Sequence, residues 1–352
     1  SWDNASTTWL RFVRKIDDLS DAKSKDDRSI FFGVGAGTGS ALANRNLIGI
    51  GNLSLNSVTT GADNVGIGVE TFKLTTSGSQ NVAIGSNALK SNDVGTQNVA
   101  VGFNALKSST YRLYSVAVGA YALEFNVDGH SNTAIGANTL KNNTSGDQNV
   151  AIGLSTLTSN TDGNLNLGLG FNSLRKNTIG NDNTAIGALS LFENLTGSRN
   201  IAIGLRSLNK IINANNNIAI GFESALNNLT GGNLTAIGFR AMYANSSGIN
   251  NVSIGYRSNY FNTTGNENTT LGFESNLSCL ICTKYDFLTA IGSGSLAEGE
   301  KATSLGYNSD VILPTVVITD KNNKILFSDL TDNYRVRPEP ETFFKIIDNY
   351  RE

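Results

Sequence analysis

Along most of this chain, apolar and small residues return on a long fixed beat, not in helical runs. Glycine marks the beat. Sixteen fall between Gly51 and Gly306, and the thirteen intervals from Gly51 to Gly272 are each 17 residues, with Gly292 and Gly306 following. Members include Gly85, Gly102, Gly136, Gly153, Gly187, Gly204 and Gly221, and Phe31-Phe32-Gly33 is a degenerate first copy. The residue before each glycine is Ile, Leu or Val (Ile84, Ile135, Ile152), the next back is small, and the third back is β-branched or Leu. The fourth back is mostly asparagine, as in Asn81, Asn98, Asn132 and Asn149. Such an alternating triplet reads as a short strand. Strand geometry puts Val82 and Ile84 on one face and Ala83 and Gly85 on the other. The large face is expected to fill a core, and the small face to lie against another backbone.

A second apolar position falls four residues after the glycine (Leu89, Leu106, Leu123, Leu140) and predicts a second strand folded back over the first. Ten after it stands another glycine (Gly78, Gly95, Gly129, Gly146), expected to take a positive φ. Ala214 and Arg112 replace it in two copies. A unit this small cannot bury a core alone, so many copies must stack. Parallel pairing at about 4.8 Å per coil predicts an all-β solenoid of about seventeen coils, roughly 80 Å long. In-register asparagines then form a side-chain amide ladder or cap turns, a ligand-binding row being the other reading. Three aliphatic side chains per coil are little burial against the ordering of a whole coil. Self-association through the small face, closed by cyclic symmetry, is the expected remedy.

Stretches such as Asn132-Thr-Ala-Ile-Gly136, followed by Leu140 and Asn143-Thr-Ser-Gly146, resemble the head repeats of trimeric autotransporter adhesins of the YadA head type. The resemblance covers roughly residues 30 to 309. It implies a left-handed parallel β-roll, assembled side by side as a homotrimer. The family's usual repeat is shorter, and here only the interval from Gly292 to Gly306 has that length. The longer version also resembles repeats of phage and viral fibres. The family's membrane-anchor barrel and long stalk are not among these residues.

Composition narrows the rest. A net charge of −2 with 16% charged residues gives no global field for nucleic acid or an anionic membrane. Glycine at 37 residues beside 3 prolines excludes collagen and Pro/Gly-rich disorder. No apolar run nears the roughly 18 residues of a membrane-spanning helix, so no direct membrane insertion is expected. His130 is the single histidine, beside Gly129, and supports no Ser-His-Asp arrangement. Glu223 and Glu274 share a phase of the repeat, and the other carboxylates are scattered. No glycine-rich stretch continues as a phosphate loop. No enzyme, cofactor or metal is therefore expected. Cys279 and Cys282, in the interval that interrupts the register, read as a local disulfide or two buried thiols.

The flanks differ from the repeats. Within residues 1–29, Trp9, Phe12, Ile16 and Leu19 have heptad spacing and suggest a coiled-coil lead-in or a capping helix. Within 310–352, Val316 to Phe327 reads as a hairpin and 342–350 as a short helix, together a cap or docking segment. Near the end of the array the core leucine becomes Ala225, Met242, Asn259 and then Asn276. Aromatics gather there, and Tyr243, Tyr256, Tyr260 and Phe261 are either altered packing or a surface for a glycan or protein receptor. The expected product is an extracellular, homotrimeric fibre or adhesin module that attaches to a cell-surface glycan or matrix receptor. A phage or virus fibre, or a spacer within a larger cell-surface or virion assembly, are the alternatives.

Overall fold

The computed structural model describes residues 22–23, 28–39, 45–110, 114–277, 286–297, 303–305, 317–319 and 325–328. The chain divides after Leu305 into two units. In the first, each triplet forms a three-residue strand. Seventeen of them, from Ile30–Phe32 to Thr303–Leu305, pair in parallel one coil after another. The result is an all-β parallel solenoid, with no helix among the described residues. Register is strict: Ala83 faces Ala100, and Ile84 faces Val101. The longer interval before Gly292 leaves it intact, since Thr269 pairs with Thr289. Hydrogen bonds run along the axis, with Val82 N donating to Asn98 O at 2.9 Å and Gly85 N to Ile67 O at 2.7 Å.

The two strand faces are reversed from the sequence expectation. Ala83, Ala100 and Ala117 are fully buried, whereas Ile84 is 38% exposed. The reason is thickness. Leu89, Leu106, Leu123 and Leu140 cross the interior and are fully buried, leaving room opposite them only for Ala, Gly, Ser or Thr. The Val and Ile side chains therefore point outward.

The second strand is corrected as well. The residues after the glycine are not extended, because φ is positive at the second and fourth of them: Asn87 at 61° and Leu89 at 49°, Asn138 at 56° and Leu140 at 49°. Alternating φ sign turns successive N–H groups toward opposite neighbours. Asn87 N donates back to Val69 O, and Leu89 N donates forward to Ala105 O. No Val, Ile or Thr takes positive φ anywhere in the described chain, as the steric cost of that region for β-branched residues requires. Among the described residues, this side becomes a parallel ladder only at Asn276–Leu277 and Leu296–Ala297.

The glycine with positive φ is the beat residue, not the one ten positions on. Gly153 sits at 130°, and a Cβ on it would lie 2.7 Å from Gly170 O. Gly146 has no positive φ; its Cβ would meet Gly163 O at 2.4 Å, so close approach of the next coil selects glycine there.

The asparagines do form a ladder. Asn149 Nδ2 donates to Asn132 Oδ1 in the previous coil at 3.2 Å and to the turn carbonyl of Gly163 at 2.8 Å. Ser115 takes the place in one coil, and leucine takes it at Leu47, Leu234 and Leu288. At the array's start, Ala22–Lys23 is a strand antiparallel to Phe31–Phe32. The coiled-coil or helical reading of 1–19 lies outside the described residues, as do Cys279, Cys282, Arg112 and the helix at 342–350. In the second unit, Val317–Thr319 and Ile325–Ser328 form the expected antiparallel hairpin.

Candidate interaction surfaces

Three columns of outward side chains lie side by side along the axis: positions three and one before the glycine, and the position after it. The first carries Val82, Val99 and Ile201; the second carries Ile84, Ile135 and Ile152. The third was missed by sequence reasoning. It holds Val69, Phe103, Leu154, Phe171 and Leu205, all exposed. A signal was present, since this position is apolar or small in nearly every coil, but it sits outside the triplet that reads as a strand. Together the columns make an apolar face about 80 Å long and 15 Å wide. An isolated soluble chain rarely exposes a contiguous apolar patch beyond roughly 300–600 Å².

At the distal coils the third column becomes aromatic. Phe222, Phe239, Tyr256 and Phe273 stack in succession, with ring centroids 5.2, 5.1 and 5.1 Å apart and planes within 9°. Tyr243 and Tyr260, five positions after the glycine, stack at 5.0 Å, and Phe261 meets Tyr260 edge-on. The structure thus brings Tyr243, Tyr260 and Phe261 together and places Tyr256 in the other column. Arg240 joins the two columns, its guanidinium 5.2 Å from the Phe239 ring and 5.3 Å from Tyr243. Arg257 lies 4.7 Å from Tyr260.

This arrangement has a chemical consequence. Within the columns ring faces are taken by neighbouring rings, and Arg240 and Arg257 lie against the Tyr243–Tyr260 pair, so mainly ring edges meet solvent. A sugar that binds by lying flat on a ring finds few open faces here. Edges suit contact with another protein surface. Between the columns, Glu223 accepts from Arg240 Nε at 2.8 Å, and that hydrogen bond pushes the Arg240 guanidinium further up from its ordinary range. Glu274 pairs with Arg257 at 3.0 Å. Glu223 and Glu274 are therefore ion-pair partners of arginines and do not form a carboxylate dyad.

Beneath this surface the core turns polar without a break in strand register. Ser258 Oγ donates to Thr270 Oγ1 at 2.8 Å, which donates to Ser253 Oγ at 2.9 Å. The amide of Asn259 is buried with neither atom hydrogen-bonded. Neither a scan against protein-family models nor a search of curated proteins returned a match. Among the described residues, no three His, Cys, Asp or Glu side chains gather as a metal site would need, and no helix is long and apolar enough to cross a membrane. His130 is an exposed turn residue, its N–H donating to Asp147 Oδ1 at 2.6 Å.

The expected asparagines are interior parts of the coil, and the beat glycines are half-buried at its bend. Besides the expected ladder, sequence reasoning missed a second one, seven positions after the glycine. Asn160 Nδ2 donates to Asn143 Oδ1 at 2.7 Å and to Gly163 O at 2.9 Å. Both rows are buried, which removes the ligand-binding reading of the expected row.

Proposed function

We propose that the chain is a homotrimeric extracellular fibre module whose task is attachment to a cell-surface or matrix receptor. The observation that carries the reading is the long, mostly apolar face, whose column just before the glycine is Ile, Leu or Val in every coil from Gly51 to Gly306. On the order of 1,000 Å² of Val, Ile, Leu and Phe running the length of the rod needs a cover. That is also the per-partner area of an ordinary stable interface. Three copies side by side, each turning this face inward, would cover it with one contact repeated around a closed axis. The self-association surface is then the large-residue face, not the small one first expected. Such a rod is stiff along its length and carries its polar edges outward, which fits a spacer that presents a binding surface.

The test is adhesion of the labelled full chain to cultured cells and to immobilised matrix proteins. Saturable binding, competed by unlabelled chain, is expected. Retention no greater than that of an inert protein on every surface would refute attachment.

A further inference from the structure

On the side of the coil that follows the glycine, charge is layered by depth. Glu124 is 7% exposed beneath Lys141, which is 30% exposed and 3.4 Å away. Glu223, at 6%, lies beneath Arg240 and Arg206, the latter 52% exposed. Glu70 holds both Lys73 and Lys90, each at 2.6 Å. Glu124 and Glu223 thus fix one or two outward cations each and show little charge of their own to solvent. In the Glu70, Lys176–Glu193 and Arg257–Glu274 pairs the partners are nearly level.

Other cations continue the row without a carboxylate. Arg175 rests 6.0 Å from the Phe192 ring, and Lys210 donates to Asn227 Oδ1 at 2.8 Å. Lys107 makes no ion pair among the described residues. From Glu70 to Glu223 this side carries eight cations and four carboxylates. Asp93, Asp128, Asp147, Asp162 and Asp182 stand eight to twelve positions after the glycine, in the turn that follows, where Arg199 also stands. The excess is thus local and vanishes in the net charge of −2.

We propose that this row of cations is a track for a linear acidic polysaccharide, whose sulfate or carboxylate groups meet successive coils along the axis. Cations stand five or six positions after the glycine in six of the nine coils from Gly68 to Gly204. They form a narrow line at coil spacings of about 4.8 Å or small multiples of it, suited to a thin polymer. Lysine-rich rows act as point charges on flexible stems and accept irregularly placed anions. A single-stranded nucleic acid would need free aromatic faces for base stacking. The rings on this side instead lie against one another or beneath Lys and Arg. The inference deepens the attachment reading by naming a ligand class.

The experiment measures binding of the full chain to immobilised heparin, with hyaluronate and single-stranded DNA in parallel, across 50–300 mM salt. These conditions span the range in which counterion release dominates. Heparin should be retained, with log Kd rising linearly with log salt. Replacing Lys107, Arg175 and Lys210 together by Gln removes no carboxylate pair, so the fold should persist. That variant should bind at least about tenfold more weakly, with a shallower salt slope. Asp128→Asn with Asp182→Asn, in the turn that follows, should leave Kd unchanged. No heparin binding at 50 mM salt, an unaffected triple variant, or tighter binding to DNA than to heparin would each overturn the inference. A lower solution mass of the triple variant would also overturn it, because the row would then face a neighbouring copy. Cell attachment that persists without heparin binding would defeat this inference alone; heparin binding without cell attachment would defeat only the attachment reading.

Discussion

Replacing Asn166 with alanine cuts the buried asparagine ladder at its middle, and the hydrogen bonds say how much should be lost. Asn166 Nδ2 donates to Asn149 Oδ1 at 3.1 Å and to Gly180 O at 2.8 Å. Its Oδ1 accepts from Asn183 N at 3.1 Å and from Asn183 Nδ2 at 3.0 Å. Three of these partners keep another bond. Asn149 Oδ1 still accepts from Asn166 N, Gly180 O from Asn177 Nδ2, and Asn183 Nδ2 still donates to Gly197 O. The Asn183 N–H loses this acceptor and stays buried. An orphaned buried donor costs about 1–3 kcal/mol, and each of the other three lost bonds about 0.5–1.5. The expected local destabilisation is about 2.5–7.5 kcal/mol. Serine should recover part of it, because Ser115 stands in this ladder and its Oγ accepts from Asn132 N at 3.1 Å. Repeat arrays need not unfold in one step, so a global midpoint is a blunt readout. Native-state hydrogen exchange at the Asn183 amide is the assay. The alanine variant should exchange there at least a hundredfold faster than wild type, roughly 2.7 kcal/mol or more, with serine between. Wild-type exchange in the alanine variant, or serine no better than alanine, would refute the reasoning.

Substitutions at three further positions probe the backbone and one ion pair. Gly153→Ala forces φ near 130° on a residue with a Cβ and drives that atom against Gly170 O, so native-state hydrogen exchange in that coil should show a loss of about 3 kcal/mol or more. Gln148, exposed at φ 56°, should behave in the opposite sense: Gln148→Gly gains about 1 kcal/mol and Gln148→Val loses as much, read by the same exchange. Hydrogen bonds from Lys73 and then Lys90 hold the Glu70 carboxyl at about 2. Because this value is depressed, the stabilisation is present above the ordinary carboxylate range and fades as pH falls through about 2. An NMR titration of Glu70 should place its midpoint there, and Lys90→Gln should raise it.

The strand positions were legible because strict recurrence overrides the ambiguity of any single triplet, and Val82–Ile84 is a strand in each reading. The direction each face points was not. Alternation separates Ala83 from Ile84 but does not say which is inside, and the thin coil with Leu89 spanning it decides the matter. The positive φ of Leu89 was equally hidden, since leucine is an improbable residue for that conformation and only interlocked coils impose it. The absence of Val, Ile and Thr from the positions of Asn87, Leu89 and Gln80 in every coil was the available trace. The aromatic cluster around Tyr243 and Tyr260 could be named from composition. Its stacking needed the register, and so did the layering of Lys141 over Glu124.

Static light scattering on the intact 37.3 kDa chain at micromolar concentration would ask whether the apolar face is covered by copies of itself. Three times the chain mass is expected, falling to one when Ile186 and Ile203, on the outer strand face, are both replaced by glutamate. A wild-type chain that stays at 37.3 kDa would contradict the proposal.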